Sequence, residues 1–358
     1  MLIQRRKTRE VKIGNRKIGG ENPILVQSMC NTDTRDVKAT VKQIKELEAV
    51  GCEIIRVAVP DMLAAKALAK IKKQIKIPLV ADIHFDYRLA LEALRQGVDK
   101  LRINPGNIGS RAEIEAVVKE AKVRQIPLRI GINSGSLSRE ILEKYQGKVT
   151  AAAMVEAASN YLEILENLGF EQIVVSLKAS DVLRTIEAYR LFSRRYDYPL
   201  HLGITEAGPI LKGAVKSAVG LGVLLYEGIG DTLRVSLTGG VKEEVKVGFE
   251  ILKALGLRQH GVNLITCPTC GRTEINLASL AAQVEKYVEK IDKPLTIAVM
   301  GCVVNGPGEA READVGIAGG KKMGVLFVKG KVVKTVKEEA LFGELKRLID
   351  KIVSELES

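Results

Sequence analysis

Between residues 24 and 255 the chain alternates short apolar runs with longer stretches of helical period, and it does so eight times. The runs are residues 24–29, 54–59, 79–84, 100–105, 128–133, 173–178, 200–205 and 233–237, with helical stretches such as 37–50, 62–73, 87–96, 111–122, 154–168 and 180–194 between them. A strand followed by a helix, repeated, makes neighbouring strands parallel, because each helix returns the chain to the same end of the sheet. Eight such units in roughly 250 residues are the size of a closed (β/α)8 barrel of the TIM type. An open doubly wound sheet is the alternative. The count of eight, and the lack of a G-x-G-x-x-G turn after the first strand, favour the barrel. Val11 and Ile13, alternating with polar neighbours ahead of Gly14-Asn15, predict a short hairpin over residues 9–19 that plugs the start of the fold. The expected domains are a substrate-binding barrel over residues 1–257 and a smaller α+β domain over residues 262–358.

Along a strand, residues i and i+2 share a face. Polar side chains recur at that spacing near the C-terminal ends of the runs: Asp82 with His84, Arg102 with Asn104, Ser176 with Lys178, Arg234 with Ser236, and, four apart, Arg129 with Asn133. Arg56 sits inside an apolar run, and Glu206 ends the seventh strand. Facing outward, these groups would lie under apolar helices. Facing inward, they line the barrel mouth, where enzymes of this fold keep their sites. Four arginines and a lysine on one mouth call for an anion, and guanidinium forks suit diphosphate oxygens. An internal salt-bridge layer with Asp82 and Glu206 is the competing reading. Gly-rich loops at 105–109, Gly135-Ser136 and 238–240 stand on the same rim and offer backbone N–H groups to phosphate. Cys52 reads as a small buried residue and Cys30 as non-catalytic, while His201 begins a strand at the end away from the site.

After the eighth strand, residues 242–255 read as a helix and 256–263 as a linker. The second domain holds a helical stripe over 277–291, strands over 295–300, 315–318, 325–328 and 332–336, a two-residue turn at Lys329-Gly330, and a closing helix over 338–356. Its loops carry Cys267-Pro-Thr-Cys270 and, 32 residues after Cys270, Cys302 in the run Gly301-Cys302-Val-Val-Asn305-Gly306-Pro307-Gly308-Glu309. A C-x-x-C hook places two thiolates on one metal or cluster. Three cysteines are one short of the four that hold most iron–sulfur clusters, and Glu309 is the candidate for the remaining position. Half a zinc ribbon is a second reading, though no second C-x-x-C completes it. A disulfide is the third; with five cysteines and no secretory segment it is disfavoured.

The net charge of +12 suggests an anionic partner. With no Trp and 4% aromatic residues, the stacking platforms of single-strand binders are missing, so nucleic acid is not expected and a phosphorylated small molecule is. No apolar run reaches the ~18 residues of a membrane span, and the basic N-terminus has no apolar signal core; a soluble cytoplasmic protein is expected.

The run 301–309, the upstream Cys267-Pro-Thr-Cys270-Gly-Arg-Thr, and the barrel segments 102–109, 176–180 and 203–208 resemble the 4-hydroxy-3-methylbut-2-enyl diphosphate synthase family, iron–sulfur enzymes of the non-mevalonate isoprenoid pathway. The match runs through both domains. Cys30 departs from it, since the family more often has Thr there. The resemblance implies a [4Fe–4S] cluster on Cys267, Cys270, Cys302 and Glu309. It implies 2-C-methyl-D-erythritol 2,4-cyclodiphosphate as substrate, opened by two electrons from a ferredoxin or flavodoxin with loss of a hydroxyl as water. Arg56, Arg102, Arg129, Lys178 and Ser236 would hold the diphosphate, with Asp82, His84, Asn104 and Asn133 also lining the substrate site. Glu206 would act as an acid or stabilise charge, and Asn305 and Glu309 complete the expected catalytic set. A non-redox barrel enzyme for a phosphorylated small molecule, with a structural metal domain, is the alternative function.

Chain lengths add one expectation. The helix 242–255 runs ~21 Å back down the barrel, and the linker 256–263 extends at most ~28 Å. Capping the chain's own mouth would use nearly all of that reach. A head-to-tail homodimer, each cluster domain capping its partner's barrel, is easier, and the resemblance implies the same dimer.

Overall fold

The computed structural model describes residues 3–104, 108–302, 308 and 311–356. The chain divides into two compact units, Met1–Arg258 and Gln259–Ser358.

In the first unit, β1 (Val11–Ile13) and β2 (Arg16–Ile18) form the expected antiparallel hairpin. Eight parallel strands follow: β3 (Leu25–Met29), β4 (Ile54–Ala58), β5 (Leu79–Ile83), β6 (Lys100–Ile103), β7 (Leu128–Asn133), β8 (Ile173–Lys178), β9 (His201–Leu202) and β10 (Thr232–Leu233). Each pairs with its sequence neighbours, β10 returns to β3, and a bridge from Val175 to Leu200 joins β8 to the run entering β9. The sheet is therefore a nearly closed barrel. Its helices include α1 (Val37–Glu48), α2 (Met62–Lys72), α3 (Tyr87–Arg95), α4 (Arg111–Arg124), α5 (Arg139–Lys144), α6 (Ala151–Asn167), α7 (Val182–Ser193), α8 (Ile210–Tyr226) and α9 (Val241–Ala254). Asp36, Asp61, Asp86 and Asp181 cap four of them by accepting N–H groups of the first turn, each worth about 1 kcal/mol.

Strand parity separates two interiors. Val26, Ile55, Val57, Leu79, Ala81 and Ile83 belong to the core shared with the helices. Leu25, Ile54, Val80 and Val174, of the opposite parity, pack with Val11, Ile13 and Ile18 of the hairpin. The hairpin thus plugs the N-terminal end of the barrel, and the residues two and four further along face the barrel's inside.

The seventh and eighth strands are shorter than their apolar runs suggest. Regular pairing stops where Gly203 makes way for the Lys178 head: a Cβ at Gly203 would lie 2.4 Å from Lys178 Nζ. Beyond, isolated bonds continue, among them Arg234 N to Leu202 O at 3.0 Å and Thr205 N to Ala179 O at 3.1 Å, and a single bridge pairs Pro209 with Thr238.

The second unit is a five-stranded sheet in the order β11 (Val262–Thr266), β12 (Leu295–Met300), β13 (Val315–Gly320), β14 (Met323–Val328), β15 (Lys331–Lys337). The first three strands are parallel and the last three antiparallel. Strand β11 corrects the expected linker 256–263: Val262 and Leu264 pack against the apolar core, so the chain enters the sheet directly. Helix α10 (Leu277–Val288) and the C-terminal helix Leu341–Glu355 bury Leu280, Val284, Leu341, Leu345 and Ile349 against Ile297, Val299, Val315 and Ile317. The C-terminal helix starts later than expected, after a 3-10 turn at Glu338–Ala340. Lys329 and Gly330 both have positive φ, 45° and 76°, as the predicted two-residue hairpin turn requires.

Candidate active site

The inward parity carries the polar residues expected at the mouth. Gln27 and Met29 of β3, Arg56 of β4, Asp82 of β5 and His84 just past it, Lys100 and Arg102 of β6 and Asn104 just past it, Arg129 and Asn133 of β7, and Ser176 and Lys178 of β8 share it, and most are buried. Asp82 is the hub. Arg102 Nη1 donates to Asp82 Oδ1 at 2.8 Å, and Arg56 Nε lies 3.4 Å from Asp82 Oδ2. His84 Nε2 is 3.5 Å from Asp82 and meets Arg102 Nη1. Arg56 also points two donors at Met29 Sδ, at 3.2 and 3.0 Å. Asn104 Nδ2 donates to Ser136 Oγ at 2.9 Å, tying β6 to the loop after β7.

The cations outnumber their partners. Arg234 pairs with Glu244 of α9 at 3.2 Å, and Asp82 serves Arg56 and Arg102. Arg129, 1% exposed, has Nε and Nη1 buried without a hydrogen bond, as is Arg102 Nε. Lys178 Nζ makes no hydrogen bond among the described residues. Burial lowers the pKa of Lys178 well below the lysine range, and the fields of Arg129 and Arg56 push it further; Lys100 is lowered for the same reasons. Burial brings Arg56 down to about 10, against the opposing pull of Asp82. Burial alone would raise Asp82, but Arg56, the His84 hydrogen bond and Arg102 outweigh it and hold the carboxylate far below its ordinary range. Two glycines leave room for these heads: a Cβ at Gly131 would lie 2.6 Å from Arg102 Nε, and one at Gly203 would strike Lys178.

The remaining mouth residues lie higher. Ser236 and Asn133 are half-buried. Glu206, four residues beyond β9, is exposed at φ +53°. It takes no part in the salt-bridge layer envisaged with Asp82; Glu244 does, from a helix the strand pattern did not sample. Sequence reading also missed Lys100 and Gln27, whose side chains meet at 3.3 Å. Parity counted back from Arg102 and Met29 would have found both. His201 is not remote from the charges: it is fully buried, its Nδ1 lies 2.9 Å from Thr232 Oγ1, and burial, then Lys178 and Arg129, lower its pKa. A hollow of about 850 Å³ lies at the other end of the barrel, among Lys12, Gly97, Asp99, Arg124 and Glu171. None of its lining side chains has a buried unpartnered atom, and the chemistry points to the mouth instead.

In the second unit, Cys267 follows β11 and Cys302 follows β12. These strands are parallel neighbours, so both thiols leave the same edge of the sheet. Gly301 N donates to Cys267 Sγ at 3.1 Å, and Glu274 N to Gly301 O at 3.0 Å, which binds the two loops together. Cys270 N donates to Thr273 Oγ1 at 3.1 Å, and the Arg272 backbone N–H leads the interactions that lower the Cys270 thiol pKa. All five cysteines are free; Cys30 and Cys52 are buried, which pushes each thiol up to about 12. Among the described residues no three metal-ligating side chains form a group. Asn305, Glu309 and the loop residues 105–107 lie outside the described residues. The donor set fits an iron–sulfur group: free thiols on adjoining loops, with backbone N–H groups directed at sulfur. No helix of the described residues is long and apolar enough to cross a membrane.

Residues 8–249 match the GcpE TIM-barrel domain and residues 263–351 the GcpE protein C-terminal domain. A protein of Caldanaerobacter subterraneus subsp. tengcongensis, named 4-hydroxy-3-methylbut-2-en-1-yl diphosphate synthase (flavodoxin), is 62% identical over 355 residues, 99% of this chain and 100% of that one. A Geobacter sulfurreducens protein of the same name is 61% identical over 349 residues, 98% and 99% of the two chains. Among solved structures, dihydropteroate synthase from Thermus thermophilus matches with a TM-score of 0.50 at 14% identity, covering 70% of this chain and 97% of that one, and shares the barrel fold alone. Both of its domains, and close relatives along nearly its whole length, make this chain a member of the GcpE family.

Proposed function

We propose that the chain reductively opens 2-C-methyl-D-erythritol 2,4-cyclodiphosphate to 4-hydroxy-3-methylbut-2-enyl diphosphate. The ring C–O bond to the diphosphate breaks, a hydroxyl leaves as water, and two electrons and two protons enter. The observation that carries this reading is the excess of buried cations at the mouth, with Arg129 Nε and Nη1 unpartnered. A diphosphate supplies the acceptors and the charge those groups lack. In this reading Arg56, Arg102, Arg129, Lys178 and Ser236 hold the phosphates, Asp82 and His84 fix the arginine forks, and Asn104 and Asn133 line the carbon side. Glu206, on the rim, donates a proton or stabilises charge at the leaving oxygen.

Cys267, Cys270, Cys302 and Glu309 would hold a [4Fe–4S] cluster, which when bound supplies single electrons to the reaction. The relatives' name supports flavodoxin as donor; ferredoxin is the other candidate. Anaerobic purification with iron and acid-labile sulfide analysis tests the cofactor: about four of each per chain is expected, and a colourless zinc protein would overturn it. Glu309→Ala should lose one iron readily, and an unchanged Mössbauer spectrum with full activity would remove Glu309 from the ligand set.

A head-to-tail homodimer completes the proposal. Arg258 anchors the end of the first unit at the N-terminal side of the barrel, donating to Ile24 O and pairing with Glu53 at 2.9 Å. The chain therefore leaves the barrel opposite the mouth. Leu63, Leu183 and Leu211, in the first turns of α2, α7 and α8, are 69%, 77% and 78% exposed on the mouth rim, an apolar border suited to a capping surface. Mixing Cys302→Ala with Glu206→Ala chains should restore a substantial fraction of activity. Two inactive variants that stay inactive after verified subunit exchange would rule out shared sites.

A further inference from the structure

Strand β5 ends at the mouth in a three-residue turn. Asp86 N donates to the carbonyl of His84 at 2.8 Å, and Phe85 between them sits at φ +65°. This is the rarer and more strained of the two γ-turn hands, in a region that bulky side chains avoid. The turn does not bury the ring: Phe85 is 74% exposed and belongs to no core cluster. Its ring lies 5.9 Å from that of His84, tilted by 42°, and His84 contacts both Asp82 and Arg102. A strained backbone thus holds a large apolar group beside the anion site, between the strands that carry Arg56 and Arg102, outside every apolar core cluster of the described residues.

Among the described residues the mouth otherwise offers little apolar wall. Its described inward groups at this level are Met29, the small Ala58, charged heads, amides and the Ser176 hydroxyl, whereas sites for organic ligands are lined mostly by apolar side chains. The geometry points to Phe85 as a specificity residue that covers the carbon skeleton of a bound organic diphosphate while the cations hold its phosphates. This rests on the anion-site reading above, and two probes separate the two claims. Inorganic pyrophosphate engages the cations only; 2-C-methyl-D-erythritol 2,4-cyclodiphosphate engages the cations and the ring.

The experiment is calorimetric titration of the full-length protein with each probe. Phe85→Ala should weaken cyclodiphosphate binding on the order of tenfold, as expected for burying roughly half a phenyl ring against carbon, and leave pyrophosphate within about twofold. Phe85→Leu should recover most of the loss. Phe85→Gly, which relieves the φ strain, should melt at or above the wild-type temperature yet lose the cyclodiphosphate as Phe85→Ala does, so the loss follows the ring and not the turn. Cyclodiphosphate affinity unchanged in Phe85→Ala, or an equal loss for both probes, overturns the assignment. Failure of the wild-type protein to bind either probe overturns the anion site instead.

Discussion

Replacing Asp82 by Asn tests the electrostatics of the mouth with almost no change in volume. The carboxylate is the shared counter-charge of Arg102 at 2.8 Å and Arg56 at 3.4 Å, and all three side chains are at most 10% exposed. Asn keeps a hydrogen-bond acceptor but leaves two buried guanidinium groups without their ion-pair partner, beside Arg129, which makes no ion pair among the described residues and loses the attraction of Asp82 as well. Breaking a buried pair by removing one member costs about 3–5 kcal/mol. For a unit of this size each kcal/mol moves the melting temperature by roughly 2–4 °C, so Asp82→Asn should melt about 6–20 °C below wild type. Pyrophosphate supplies the lost negative charge and should return a larger share of stability to the variant than it adds to wild type. At about one hundred times Kd the gain is about 2.7 kcal/mol. Thermal unfolding followed by circular dichroism, with and without pyrophosphate, reads both effects. A variant melting within about 2 °C of wild type, or one that pyrophosphate stabilises no more than wild type, would refute the reasoning. The pH window gives a control. Asp82 has a depressed folded-state pKa, so its stabilisation is present above the ordinary aspartate value and is lost only as pH falls through the folded one. The gap between variant and wild type should therefore hold across the neutral range.

Three further outcomes follow from the same geometry. Arg56→Ala, Arg102→Ala and Arg129→Ala should each weaken cyclodiphosphate binding by about 1.5–3 kcal/mol while the iron and sulfide content stays unchanged, and undiminished calorimetric affinity in all three would contradict the anion site. Gly203→Ala puts a Cβ 2.4 Å from Lys178 Nζ and 2.8 Å from the Arg234 carbonyl oxygen, so it displaces the lysine head and the Arg234 backbone together and should reduce pyrophosphate affinity about tenfold or more; wild-type affinity would contradict a phosphate site at this end of β8. Lys178 and Lys100 have depressed pKa values in the free protein, and a bound dianion raises them, so binding should take up protons. Calorimetry in buffers of different ionisation enthalpy should report that uptake, and proton release or no linkage would contradict it.

Much of this was legible because two periods carry it. Strict alternation of runs and helical stretches specifies a parallel barrel, and parity within the runs puts Asp82, Arg102, Arg129 and Lys178 on one face. The shortness of β9 and β10 was not legible, because the same apolar runs feed regular pairing and the looser segments around Lys178. Strand β11 was missed because Val262 to Thr266 alternates only weakly and follows a Gly that reads as a boundary. Glu244 escaped because a helix residue that reaches into a barrel has no periodic signature: it occupies a buried position of an otherwise ordinary α9 and is recognisable only by its partners, Arg234, Ser28 and the N–H of Leu237. Lys100 lay in plain view two residues before Arg102, but a lysine at the start of a strand resembles a solvated flank. The strained turn at Phe85 left no mark in composition, since a phenylalanine before an Asp N-cap reads as an ordinary residue entering a helix.

The central claim is that this chain couples a cationic barrel mouth to an iron–sulfur group to open a cyclic diphosphate. Phosphorus NMR of an anaerobic reaction measures it most directly. Iron- and sulfide-replete protein, reduced flavodoxin and 2-C-methyl-D-erythritol 2,4-cyclodiphosphate should convert the ring diphosphate resonances into the pair of a linear diphosphate monoester, and Arg129→Ala with the same iron and sulfide content should convert them far more slowly. Replete, reduced protein that returns the cyclic substrate unchanged would contradict the account.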